Sequence, residues 1–303
     1  MNRLSERLTQ SRRLPEYLTH QGGPLNTVLY RPLRRLWFRC TALSESRGSD
    51  TMTVIIGVRN RSDYRLENAL ESLRLQTYDQ SLLKVLIVDY NSGGPHAETI
   101  MKLCRHYGAR HMRLESEGIW SKSRCLNAGI RATRSKYIMI SDVDVVFSPN
   151  YLEEAVRVLK KNPLGVVVAI MWDLPEGTVR NHMSASELMA AFQAFDAVAT
   201  PRWGCGFDSA VHATRAGYYW KIGGFDEFYE GWGREDLDVA RRFRYLGLEF
   251  ESIDERSRYF HQWHPRYEGL EHLDVDAIRK RNTDYYVAHH SIRRNPTGWG
   301  NAA

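Results

Sequence analysis

Tyr137-Ile138-Met139-Ile140-Ser141-Asp142-Val143-Asp144 is the stretch on which the fold turns. A short apolar run without strict alternation leads straight into two carboxylates two positions apart. A run of that length with no polar face is the pattern of a strand buried on both sides of a parallel sheet. Met52-Thr53-Val54-Ile55-Ile56-Gly57-Val58 and Val85-Leu86-Ile87-Val88-Asp89 have the same character, and residues 165–170 supply a fourth such run. Between them, Leu66, Ala69, Leu70 and Leu73 recur at helical spacing over 64–76, and 97–107, 123–133 and 150–161 also predict helices. Strands alternating with helices predict an α/β, Rossmann-like fold with a mostly parallel central sheet flanked by helices. In such sheets ligands bind beyond the carboxyl ends of the strands. Three strands here end in polar residues, at Arg59-Asn60-Arg61, Asp89-Tyr90-Asn91-Ser92 and Asp142-Val143-Asp144, and all three are expected at one crevice.

The rest of the composition narrows the class. Of 303 residues, 43% are hydrophobic and 26% charged, which excludes long disorder. No apolar run reaches the ~18 residues of a spanning helix and no apolar leader is evident, so a cytoplasmic protein is expected. Cys40, Cys104, Cys125 and Cys205 are too scattered for a metal knuckle or a disulfide framework. The net charge is +6, and nine arginines against four acids place +5 of it in residues 1–50. The remainder is nearly neutral, which argues against a nucleic-acid-binding surface. Within 25–40, counting from Pro32, residues Leu33, Leu36, Trp37 and Cys40 share one helical face, with Arg34, Arg35 and Arg39 largely off it. A short basic amphipathic helix of this kind suits peripheral contact with an anionic membrane, or packing against the body of the protein.

Four local patterns carry chemistry. Asp142 and Asp144 repel each other unless a cation lies between them, and hard carboxylate oxygens suit Mn²⁺ or Mg²⁺. Alone, the pair also fits a surface turn. Gly231-Trp232-Gly233-Arg234-Glu235-Asp236-Leu237-Asp238 sets a tight loop before a helix start crowded with acids. The helix dipole accounts for one or two of those acids. It does not account for the Gly-Trp-Gly, whereas a carboxylate beside an aromatic ring suits deprotonation of a stacked sugar hydroxyl. His261-Gln262-Trp263-His264-Pro265 offers two imidazoles, either metal ligands or structural turn residues. Lys122-Ser123-Arg124-Cys125-Leu126-Asn127 opens a helix with two cations and an amide, either an anion site or a solvated basic face.

In this order, the motifs resemble those of GT-A fold glycosyltransferases of the family 2 type over about residues 52–266. The Gly231-Trp232-Gly233-x-Glu235-Asp236 segment is similar to that of β-1,4-galactosyltransferases, chondroitin-polymerase-type enzymes and polypeptide N-acetylgalactosaminyltransferases. The resemblance implies a metal-dependent inverting glycosyltransferase using a nucleotide sugar, with UDP expected, and a hydroxyl acceptor such as a glycan or lipid-linked saccharide. It implies Asp236 as the base. It implies a donor site from Arg59, Asn60, Asp89 (reading the base), Ser92, Lys122, Arg124, Asn127 and Asp142. The implied metal ligands are Asp144 with Asp142, and His261 ahead of His264. Trp203, Tyr229, Trp232 and Glu235 are implied around the acceptor. A retaining enzyme of the same fold, or a non-catalytic nucleotide-sugar or glycan binder, would share part of this set, although an acid at Asp236 favours inversion. Two positions depart from the pattern: no second acid follows Asp89, and Arg234 stands where a glycine is frequent. The implied organisation is a basic extension over 1–50, a catalytic body over 51–265 divided near 147 into nucleotide and acceptor halves, and a helical extension over 266–303.

Overall fold

The computed structural model describes Pro32 and residues 49–202 and 211–300. In chain order the described elements are β1 (Met52–Val58), α1 (Tyr64–Arg74), β2 (Leu83–Tyr90), α2 (Gly94–His106), β3 (Arg110–Leu114), α3 (Lys122–Ala132), β4 (Tyr137–Ser141), β5 (Val145–Phe147) and α4 (Tyr151–Lys161). They continue with β6 (Gly165–Val168), β7 (Met171–Asp173), α5 (Ala185–Val198), β8 (Thr200–Pro201), β9 (His212–Arg215), α6 (Ala216–Ile222), α7 (Glu235–Leu246), β10 (Glu249–Ser252), β11 (Tyr259–His261) and α8 (Val275–Ala288).

Seven strands form the central sheet in the order β10-β6-β9-β4-β1-β2-β3, parallel throughout except for β9. Side chains alternate across it as strand geometry requires. Val54 and Ile56 of β1 and Met139 of β4 enter one core with Leu66, Leu70 and Leu152, while Ile55 and Ile140 enter the other with Leu126, Phe243 and Trp299. A smaller sheet, β5-β11-β7-β8, carries the chain past the carboxyl end of β4.

Helix ends are fixed locally. Asp63 caps α1 by accepting from the Arg65 amide, and Ser121 caps α3 by accepting from the Arg124 amide. Ser184 and Glu187 make a reciprocal capping box on α5. Helix α3 lies so close to the sheet that a Cβ on Gly129 would stand 2.5 Å from Ile55 Cγ2 and 3.1 Å from Val88 Cγ2.

The strand and helix expectations over 52–168 hold with shifts of at most three residues at the ends. The division at 265 does not correspond to a structural boundary. Residues after it return to the body: Ile292 and Trp299 are buried in the second core, and Glu268 pairs with Arg61 and Arg65 at 2.7 Å each. Apart from Pro32, segment 25–40 lies outside the described residues, as do Trp203, Cys40 and Cys205. Cys104 and Cys125 are buried free thiols whose pKa is pushed up by burial, which disfavours the thiolate. No helix among the described residues is long and apolar enough to cross a membrane.

Candidate active site

A cleft of about 1320 Å³ opens at the carboxyl ends of β1 and β4. Arg59, Asn60 and Arg61 line it after β1, Asp142 and Asp144 after β4, and Trp232 to Asp236 at the start of α7. Lys122 lines its floor and residues 267–284 its far wall. The ends of β1 and β2 are tied to each other: the Asn60 amide donates to Ser92 Oγ at 2.9 Å, and the Gly93 amide donates to Asn60 Oδ1 at 2.8 Å.

Asp144 is the centre of one corner. Its buried carboxylate lies 3.7 Å from His261 Nε2 and 3.2 Å from His264 Nε2, with Arg61 at 3.9 Å. Burial alone would raise its pKa, but the two imidazoles, when protonated, and Arg61 hold it well below the usual carboxylate range. One ligand atom from each of Asp144, His261 and His264 falls within 4.8 Å of the others. His261 Nδ1 is 3.0 Å from Asp173 Oδ1, and His264 Nδ1 is 2.8 Å from the Pro265 carbonyl. A proton on each Nδ1 thus has an oxygen to receive it, so each Nε2 can carry a second proton toward Asp144 or, once that proton is lost, offer its lone pair to a cation. Asp144 Oδ1 is buried without a hydrogen-bond partner. An unsatisfied carboxylate oxygen and two oriented imidazoles are the donor set of a divalent-cation site, and the residues fit one. The structure gathers both histidines rather than selecting between them.

Asp236 is the centre of the other corner. It is in the first turn of α7, with Oδ2 accepting from Lys122 Nζ at 3.0 Å. Lys122 Nζ also reaches Asp142 Oδ1 at 2.8 Å. Asp236 Oδ1 is buried and has no hydrogen-bond partner. Burial raises the Asp236 carboxyl to about 7, with help from Glu235 and Asp142 and against the opposing pull of Lys122. A carboxylate with one anchored and one free oxygen, ionising near neutrality, is suited to accept a proton. The third acid of the cluster has a different task. Asp238 is fully buried and bound by Arg242 at 2.6 Å and Arg241 at 3.0 Å, which anchors α7 to the core.

Several expected contacts are corrected. Asp142 is turned to Lys122 and is not in the Asp144 cluster, because the ammonium already balances its charge. Lys122 is held between two carboxylates instead of facing an open anion site. Asn127 is fully buried and spent on the Phe225 amide and carbonyl and on Glu227, so it buttresses the fold. Asp89 is fully buried, accepting from the Ser92 amide at 2.8 Å and Arg113 at 3.2 Å, and does not face the cleft. Ser92 braces Asn60, and Arg124, near Glu230 at 3.7 Å, lies off the cleft wall. Tyr229 is buried edge-on against Tyr285 and cannot stack on a sugar, whereas Trp232 is 42% exposed in the cleft. Trp120 and Glu268, which line the cleft, Asp173 beside His261, and Asn282 behind the loop before α7 were not foreseen. None sits in a recognisable local motif, and each reaches the site only through the tertiary fold.

A family model described as glycosyl transferase family 2 matches residues 53–223, more than half of the chain. The chain belongs to glycosyl transferase family 2. A second model, described as the N-terminal domain of galactosyltransferase, matches residues 192–265, which include the Gly-Trp-Gly loop of this glycosyltransferase. Among solved structures, it is similar to S. aureus TarS 1-349 in complex with UDP-GlcNAc, at 14% identity and a TM-score of 0.58. That match covers 78% of this chain and 66% of that one. It is also similar to GalNAc-T7 with UDP, GalNAc and Mn²⁺, at 15% identity and a TM-score of 0.57, covering 80% of this chain and 48% of that one. The family 2 chain therefore spans less than two thirds of either relative, and at these identities the likeness shows the shared GT-A fold.

Proposed function

We propose that this glycosyltransferase is a metal-dependent inverting enzyme. It transfers a sugar from a UDP-sugar to a hydroxyl of a glycan or lipid-linked saccharide. The observation that carries the reading is Asp236, a cleft carboxylate with one free oxygen and a proton affinity matched to neutral pH. The donor class is supported by the UDP-GlcNAc bound to TarS 1-349 and the UDP and GalNAc bound to GalNAc-T7.

Asp144, His261 and His264 would hold a divalent cation, Mn²⁺ ahead of Mg²⁺ because imidazole is the softer ligand, and it would supply Lewis-acid neutralisation of the leaving diphosphate. The other steps belong to the chain. Asp236 Oδ1 takes the proton of the acceptor hydroxyl while Lys122 steadies Oδ2. The hydroxyl oxygen then bonds the anomeric carbon from the face opposite the departing diphosphate. Trp232 offers a ring face for the acceptor sugar. The acceptor's lipid linkage is suggested only by the basic amphipathic pattern over 25–40. Flotation with anionic liposomes tests it: full-length protein is expected to float at low salt and a chain starting at Ser49 to stay behind.

The deciding experiment is UDP release from a panel of UDP-sugars with Mn²⁺, followed by NMR of the product's anomeric configuration. Release abolished by EDTA and restored by Mn²⁺, with inverted product, is expected. Full turnover in EDTA, or retained configuration, overturns the reading.

A further inference from the structure

The loop over 228–234 that delivers Asp236 to the cleft belongs to no strand, so its backbone carbonyls need partners from elsewhere. It is also bent hard: Gly231, Gly233 and Arg234 all have positive φ, at 70°, 99° and 80°. An arginine in that region is disfavoured and persists only when its surroundings hold it.

The Ser121 hydroxyl donates to the Tyr229 carbonyl at 2.9 Å and the Trp120 carbonyl accepts from the Gly231 amide at 2.7 Å, and other carbonyls of the bend are held from α8. The Asn282 side chain is fully buried, and its Nδ2 lies 3.1 Å from the Glu230 carbonyl, 3.2 Å from that of Trp232 and 3.1 Å from that of Gly233. Thr283 Oγ1 accepts from Arg234 Nε at 3.1 Å, and Arg281 donates to the Phe228 carbonyl at 3.4 Å. One turn earlier, Ile278 packs so tightly under the loop that a Cβ on Gly231 would meet it at 3.0 Å. Helix α8 lies outside both segments matched by the family models.

We propose that Asn282 is a positioning residue for catalysis, locking the strained loop before α7 so that Asp236 and Trp232 stand in the cleft. The role rests on the reading of Asp236 as the base. The latch itself, however, is testable without any turnover. Three carbonyl oxygens converge on one amide, so the feature that matters is hydrogen donation, not volume. Asn282→Asp keeps the shape and turns an acceptor toward those oxygens, whereas Asn282→Ala removes the group.

Hydrogen exchange read by mass spectrometry, in wild type and both variants, comes first. The 228–236 peptide is expected to exchange at least ~10-fold faster in both variants, with protection in β1 and β4 unchanged. Unchanged exchange at 228–236 in a folded Asn282→Ala protein overturns the proposal. Should protection in β1 and β4 also be lost, Thr283→Val takes its place. It frees Arg234 alone, and the same peptide must loosen for the proposal to stand. The second measurement is UDP release from UDP-GlcNAc and UDP-GalNAc. Asn282→Asp is expected to lose as much kcat as Asn282→Ala or more, at least ~10-fold, with donor KM within about twofold of wild type. An isosteric Asp variant with wild-type kcat would reduce Asn282 to packing. Wild type that releases no UDP from any donor would sink the catalytic reading and leave the exchange result to judge the latch.

Discussion

The carboxyl of Asp236 ionises only as the pH climbs through about 7, because burial and its neighbours Glu235 and Asp142 outweigh the ammonium of Lys122. A base works in its ionised form, so kcat/KM is expected to fall as the pH drops below about 7, with a slope of one proton. A pH–rate profile checks this, and a flat profile between pH 5.5 and 7.5 contradicts it. Asp236→Asn keeps the shape and loses the proton acceptor, and kcat is expected to drop at least ~100-fold with UDP affinity near wild type. Collapse of UDP affinity at preserved kcat would make Asp236 a binding residue. At this scale the sequence was legible where a motif is local. Asp144, His264, Trp232 and Asp236 line the cleft, and His261 stands beside Asp144 and His264. It misled for Asn127 and Asp89, because the letters of a motif do not say whether a polar side chain faces a ligand or the chain's own backbone. The ion pairs of Lys122 were not legible for a related reason: the two carboxylates that flank it, Asp142 and Asp236, come from the end of β4 and the start of α7, far apart in the chain.

Helix α3 meets the sheet at Gly129, where the nearest atom is a branched methyl of Ile55 that has no free rotation away from the contact. Gly129→Ala is a favourable change for an isolated helix, worth about 1 kcal/mol. Here the added methyl is expected to reverse that sign and cost ~1–3 kcal/mol net, by forcing α3 off β1 and β2. Urea denaturation of the two proteins checks it, and an Ala variant as stable as wild type would show that the sheet yields. The elements around this contact were readable because parallel strands buried on both faces must be apolar throughout. Those that escaped lack that signature. β3 is Arg-His-Met-Arg-Leu at the sheet edge, half exposed. β9 is His-Ala-Thr-Arg, four residues inserted antiparallel between β4 and β6, and its burial depends on neighbours remote in sequence.

The molecule closes on itself late in the sequence. Trp299 and Ile292 complete the second core, Arg294 pairs with buried Asp226 at 3.0 Å, and the segment after 265 walls the cleft. Removing a buried Trp alone costs ~3–5 kcal/mol, a large share of the ~5–15 kcal/mol of a whole domain. A chain ending at Pro265 is therefore expected to lose cooperative thermal unfolding and near-ultraviolet circular dichroism. A sharp transition close to wild type would show that the body folds without its last segment. The same closure has a meaning in time. A ribosome adds roughly 5–20 residues per second, so Asp236 is made seconds before the wall that completes its cleft. During that interval the nascent chain already holds Asp144, His261 and Asp236 but no finished pocket around them, and the cleft is whole only once residues 267–284 are synthesised and docked.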